Sequence, residues 1–264
     1  MAVITLTSAS GSPGVTTTAL GWALSRGRPT VLVDADPTGG ASMLAGYLRG
    51  QMVPPDALLE LWAAQQQGRL RSVLPSVTMS LPDSQVGLLP GTRSHGQARG
   101  LVGLWEPLLA ALKSLEGTGQ DVIVDVGRLG LAGSPTPLLH GADLALVACR
   151  ADLVSLSSLR SWLATLHTDL EEVGGATSLG VVLIGPGRPY SEGEVGKVLA
   201  QVCGGRSPVL ASVSWDPKAA AAFSAGAQVR RLESSKLVRS LRHLDEAARK
   251  QIASNTNDLS EVRA

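Results

Sequence analysis

No lysine precedes Lys113 in this chain of 264 residues, so arginine supplies the side-chain cations of the first hundred positions. The formal net charge is only +1. That argues against a protein that coats nucleic acid through bulk positive charge, and DNA is not expected as a partner. The two cysteines, Cys149 and Cys203, have neither metal-ligand spacing nor a disulfide framework, which fits a reducing, cytoplasmic setting. Cys149 lies in the apolar run "LALVAC" and reads as a buried, inert thiol. His95, His140, His167 and His243 form no ligand cluster, so no zinc site is expected, and no Gly-x-Ser-x-Gly elbow is present. No run reaches about 18 apolar residues, which excludes a membrane-spanning helix. The start "MAVITLTSAS" has no basic flank, and no signal peptide is expected from it.

What the chain does have is alternation. "AVITLT", "TVLVDAD", "DVIVDVG", "ADLALVAC", "SLGVVLIG" and "PVLASVS" read as buried strands, and "VTMSLP" and "VGLLPG" as two short ones. Between them fall helical stretches. These are "TTTALGWALSRG" stopped by Gly27, "DALLELWAAQQ" with Asp56 as N-cap, and "GLVGLWEPLLAALKSLEG". "SLSSLRSWLATLHTDLEEVGG" with glycine at its end, "SEGEVGKVLAQVCGG", "PKAAAAFSAG" and "SKLVRSLRHLDEAARKQIAS" follow. Strands that are apolar throughout, alternating with helices, predict an α/β fold: a doubly wound, mostly parallel sheet flanked by helices. The reading is one domain over residues 1–252 and a polar C-terminal tail over 253–264. Leu237, Val238, Leu241, Leu244, Ala248 and Ile252 share one face of the last helix, and that face is expected to dock on the sheet rather than on a membrane.

Ligands of such sheets bind at the carboxyl ends of the strands. "SGSPGVTTT", "DADPTGG", "DVGRLG" and "CRAD" all fall there. The first is a glycine-rich turn leading into a threonine-rich helix start, the arrangement whose backbone N–H groups hold an anion. Asp34, Asp36 and Asp125 crowd negative charge beside it and call for a cation.

This order of elements resembles the ParA/MinD family of P-loop ATPases, in its Tad-related branch, and the resemblance runs to about residue 250. Ser10, Gly11, Ser12, Pro13, Gly14, Val15, Thr16 and Thr17 stand in the place of the family's Lys-Gly-Gly-x-Gly-Lys-Thr-Thr loop. Asp34 and Asp36 match its Asp-x-Asp, Asp125 its Walker B aspartate, "GLLPG" its Leu-Pro-x-Gly, and "SWDPKAAAAFSAG" its late Pro-x-Asp-Pro strand and helix. The resemblance implies a nucleotide site formed by Gly11, Ser12, Gly14, Val15, Thr16 and Thr17. It implies ATP with Mg²⁺ near Thr16 and Asp125, and Asp36 as the residue that positions the attacking water. The chain departs from the pattern where Val15 replaces the lysine that reaches the phosphates and Ser10 the lysine that reaches a partner's nucleotide. Arg128 and Arg150 are the candidate substitutes for that charge. The implied function is a scaffold or spatial positioning factor with weak or no hydrolysis, serving a secretion or pilus machine. It would work with a protein partner, by which it is brought to the membrane, and as any homodimer without dependence on ATP. A slow Mg-ATPase and a DNA-segregation protein are the alternatives.

Overall fold

The computed structural model describes residues 2–173 and 177–262. Eight strands form one sheet: β1 (Val3–Ser8), β2 (Thr30–Asp34), β3 (Met79–Ser80), β4 (Val86–Leu89), β5 (Asp121–Arg128), β6 (Leu144–Arg150), β7 (Ser178–Ile184) and β8 (Val209–Val213). Their order is β3-β4-β2-β5-β1-β6-β7-β8, and every pairing is parallel except the short β3–β4 ladder at one edge. This is the doubly wound, mostly parallel sheet that the alternation predicts.

Alternate residues of each strand feed opposite faces, as the two-residue period of a strand requires. Ile4, Leu6, Leu32, Leu144, Leu146 and Val182 point to one face. There they meet α1 (Val15–Ser25), α9 (Pro217–Ala225) and α10 (Lys236–Val262). Val3, Val31, Val33, Val122 and Val124 point to the other face, toward α2 (Ala57–Gln66), α3 (Leu70–Val77) and α5 (Trp105–Lys113). On that same side α7 (Leu153–Val173) and α8 (Glu192–Cys203) cover β6 and β7. Two short helices, α4 (His95–Gly100) and α6 (Thr136–His140), complete the set.

Several features differ from the sequence reading. Helix α3 occupies a stretch to which the sequence reading assigns no element, up to Val77 of the expected strand; Leu70, Leu74 and Val77 bury one face at helical spacing in spite of Pro75. The segment after β2, read as a loop, contains a π-helical turn at Met43–Tyr47. Asp56 stands at the N-cap of α2 but makes no cap bond, because its carboxylate pairs with Arg93 at 2.8 Å. The last helix does not stop near residue 254 but runs to Val262. The glycine stop expected for α7 at residues 174–175 lies outside the described residues.

The apolar face of α10 docks as expected: Val238, Leu241, Leu244 and Ala248 are fully buried. Asp245, which from sequence belongs to an exposed polar face, is buried as well. It accepts the Trp22 indole N–H at 3.0 Å and pairs with Arg26 at 2.6 Å. Arg26 also pairs with Asp121 at 2.6 Å, at the start of β5, and Asp121 accepts the backbone N–H of Ala2. One arginine thus ties α1, α10, β1 and β5 together at the amino edge of the sheet. Its side chain is only 1% exposed, so removing Asp245 leaves a desolvated charge with Asp121 as its remaining partner and the buried Trp22 indole N–H without an acceptor. Asp245→Ala is expected to cost about 3 kcal/mol of stability, whereas Glu246→Ala, on the exposed side of the same helix, is expected to cost less than about 0.5 kcal/mol. Urea unfolding of the two variants measures the difference, and equal costs would contradict this account of the network.

Candidate functional site

The carboxyl edge of the sheet carries the candidate site. Between β1 and α1 the chain turns through Gly11 (φ 65) and Gly14 (φ 99), both in the left-handed region that favours glycine. Gly14 is the N-cap of α1, and no side chain caps this helix end and no acidic residue lies in its first turn. The first helical N–H to meet a carbonyl is that of Thr18, which donates to Gly14 O at 2.8 Å. The N–H groups of Val15, Thr16 and Thr17 precede it and have no carbonyl partner within the helix. A helix start of this kind, with its positive dipole end uncovered, is an anion site. Val15 itself is 7% exposed and belongs to the apolar cluster with Leu6 and Ala19, so the loop has no cationic side chain.

Beneath the loop, Asp34 at the end of β2 lies directly opposite Asp125 of β5. Both are buried. Asp125 Oδ1 accepts the Gly127 N–H at 2.9 Å, while Oδ2, also shut from solvent, has no hydrogen-bond partner. The Thr16 hydroxyl favours the Asp125 anion from a position short of hydrogen-bond geometry. Burial, then Asp125 and Asp36, push Asp34 up to about 8, against backbone N–H bonds from Asp36 and Gly91. Burial likewise raises Asp125 to about 6, with the Thr16 hydroxyl and the Gly127 N–H opposing and Asp36 adding to the rise.

Two glycines are fixed by these carboxylates. A Cβ at Gly91, in the "GLLPG" segment, would lie 2.8 Å from the Asp34 carboxylate carbon. A Cβ at Gly127 (φ 71) would lie 2.6 Å from the Asp36 carboxylate. Asp36, half-buried, accepts the Thr38 N–H at 2.9 Å.

A cleft of about 480 Å³ opens above these groups. Gly11, Ser12, Gly14, Val15, Thr16, Thr17, Asp36 and Arg128, eight of the site residues expected from sequence, line it. Asp125 lies below it, and Arg150 reaches it only through the Ser12 carbonyl, to which its Nη2 donates at 2.8 Å. Arg128, exposed at the end of β5, has no ion pair among the described residues. Sequence reasoning missed the far wall: Ser42 and Met43 from the π-helical turn and Phe223 and Ser224 from α9. The run "GGASMLAGY" carries no regular period, so nothing in it marks a wall. Among the described residues no three His, Cys, Asp or Glu side chains converge as a metal cage. Cys149 is buried, as its apolar run suggests, and burial, with Asp152 adding, pushes its thiol up to about 12.

No family model matches the sequence, and no curated protein is similar to it in sequence. Solved structures are similar in fold. The septum site-determining protein MinD of Pyrococcus horikoshii, complexed with Mg-ADP, superposes with a TM-score of 0.70 at 19% identity, covering 96% of this chain and 97% of that one. A McdA variant–ATP complex from Cyanothece gives 0.72 at 23% identity, with 94% and 96% covered. A ParA family ATPase from Chlorobium tepidum gives 0.69 at 17% identity, with 94% and 98% covered. The chain has the MinD/ParA fold.

The buried carboxylates make stability depend on pH in a defined direction. A carboxyl whose pKa is raised by folding holds its proton more tightly in the folded state. Stability therefore falls as pH rises from the ordinary carboxylate range, and levels off above about 8, the value for Asp34. The slope for one such group approaches about 1.4 kcal/mol per pH unit. Denaturation of the ligand-free protein between pH 5 and 9 is expected to show this fall, and Asp34→Asn to flatten most of it. A stability that rises over this range would contradict the assignment.

Proposed function

We propose that this chain is a MinD/ParA-like spatial positioning factor that binds a Mg²⁺-nucleotide at the β1–α1 turn and hydrolyses it slowly or not at all. The observation that carries the reading is the uncapped N-terminus of α1 set above a buried, partnerless carboxylate oxygen of Asp125. The first suits a phosphate and the second suits the hydrated cation that accompanies it. Mg²⁺ needs few protein ligands, keeps several waters and shares the phosphates, so Thr16 and Asp125 would be a sufficient set. When bound, it neutralises phosphate charge. In the same reading Asp36 orients a water, and Arg128 supplies the only guanidinium lining the cleft among the described residues.

Weak turnover follows from Val15. A lysine–phosphate contact is a charge-assisted hydrogen bond worth about 1.5–3 kcal/mol, so its loss weakens binding by roughly ten- to a hundredfold. The loss is larger for phosphoryl transfer, where charge develops. Arg128 offsets part of this for binding. Ser10 cannot reach nucleotide on a second subunit, so any dimer forms without ATP. The docked face of α10 supports recruitment through a protein partner rather than through this helix. The resemblance to Tad-related proteins suggests a secretion or pilus machine as the setting.

Steady-state hydrolysis and light scattering test the proposal together. ATP turnover is expected to be near background, and the molar mass unchanged by Mg-ATP. Arg128→Ala is expected to weaken Mg-ADP binding about tenfold or more. Turnover abolished by Asp36→Ala would favour the slow Mg-ATPase instead, and a dimer that appears only with Mg-ATP would contradict the proposal.

A further inference from the structure

Arg150 joins three strand ends through two contacts. It closes β6, the neighbour of β1 in the sheet. Its Nη2 donates to the carbonyl oxygen of Ser12, in the β1–α1 turn, at 2.8 Å. Its guanidinium lies over the Trp215 ring, 5.6 Å from the centroid. Trp215, just beyond β8, sits against the end of β7, where a Cβ at Gly185 would be 3.3 Å from its own Cβ. Among the described residues Ser12 lines the cleft and Arg150 does not.

We propose that Arg150 is a positioning residue for the β1–α1 turn, holding the Ser12 carbonyl from outside the cleft with Trp215 as the platform that fixes its guanidinium. A peptide carbonyl is the negative end of a dipole. Turned into the cleft, it would oppose an anion held by the N–H groups at the start of α1. The next residue, Pro13, has no N–H with which to anchor this turn by a bond of its own. An arginine suits the task because its planar fork binds an oxygen at the edge while its face stacks on an indole. Arg150 is then a strut, and the charge that meets an anion is left to Arg128. The purpose of the strut rests on the turn being an anion cradle; its geometry does not.

Amide hydrogen exchange of the ligand-free protein, read at residues 18–20, whose amides close the first hydrogen bonds of α1 onto the turn, tests the strut without any ligand. Arg150→Ala is expected to speed exchange there by about tenfold, with the rest of the sheet unchanged. Arg150→Lys, which keeps the charge and loses the plane, is expected to restore part of the protection. Trp215, 43% exposed, supplies a second signal: its emission, isolated by difference from Trp215→Phe, is expected to shift when Arg150 is removed. Arg128→Ala is expected to change neither reading. Unchanged exchange at residues 18–20 in Arg150→Ala would overturn the proposal. If that variant instead loses affinity for Mg-pyrophosphate with the amides of residues 18–20 still protected, Arg150 is a direct phosphate ligand and the proposal likewise fails. Faster exchange in Arg150→Ala, in a wild-type protein that binds no pyrophosphate, supports the strut and removes the nucleotide reading instead.

Discussion

Asp34 and Asp125 face each other across two adjacent parallel strands, closed off from water and crowded further by Asp36. Like charges brought this close in a medium of low dielectric cannot all be ionised without a cation. Much of the carboxyl edge is shaped by this constraint. Gly91 and Gly127 exist as glycines because the carboxylates occupy the space a side chain would need. Backbone N–H groups of Asp36, Gly91 and Gly127 are spent on the same carboxylates. The turn that carries the helix N-terminus lies directly above, so positive dipole ends and negative side chains face one cleft. A phosphate and a cation together satisfy both.

The two edges of the sheet treat charge in opposite ways. At the amino edge, Arg26 and the Trp22 indole are paired with Asp121 and Asp245, and the result is a tie between helices and strands. At the carboxyl edge Asp34, Asp36 and Asp125 have no ion pair among the described residues, and neither has the exposed Arg128 nearby. The first arrangement is closed and structural. The second is open, with raised carboxyl pKa values beside a cleft, the combination found where a protein binds something charged.

Much of this was legible in the sequence for physical reasons. Apolar runs bounded by glycine and aspartate mark buried parallel strands, and the rule that ligands meet such strands at their carboxyl ends places "SGSPGVTTT", "DADPTGG" and "DVGRLG" in one site before any coordinates. Eight of the site residues expected from sequence do line the cleft. What escaped depends on long-range packing. The wall from Met43 and Phe223 forms because α9 lies against the π-helical turn, a contact between segments about 180 positions apart. Asp245 reads as a surface residue because its partners, Trp22 and Arg26, are more than 200 positions away. Helix α3 had a readable signal in Leu70, Leu74 and Val77, which Pro75 obscured.

The central claim is that the cleft holds phosphate together with a divalent cation despite having no lysine. Calorimetric titration of the wild-type protein with ADP, with and without Mg²⁺, tests it most directly. Binding that requires Mg²⁺ is the expected result. Equal heats with and without Mg²⁺, or no heat at all at millimolar nucleotide, would contradict it.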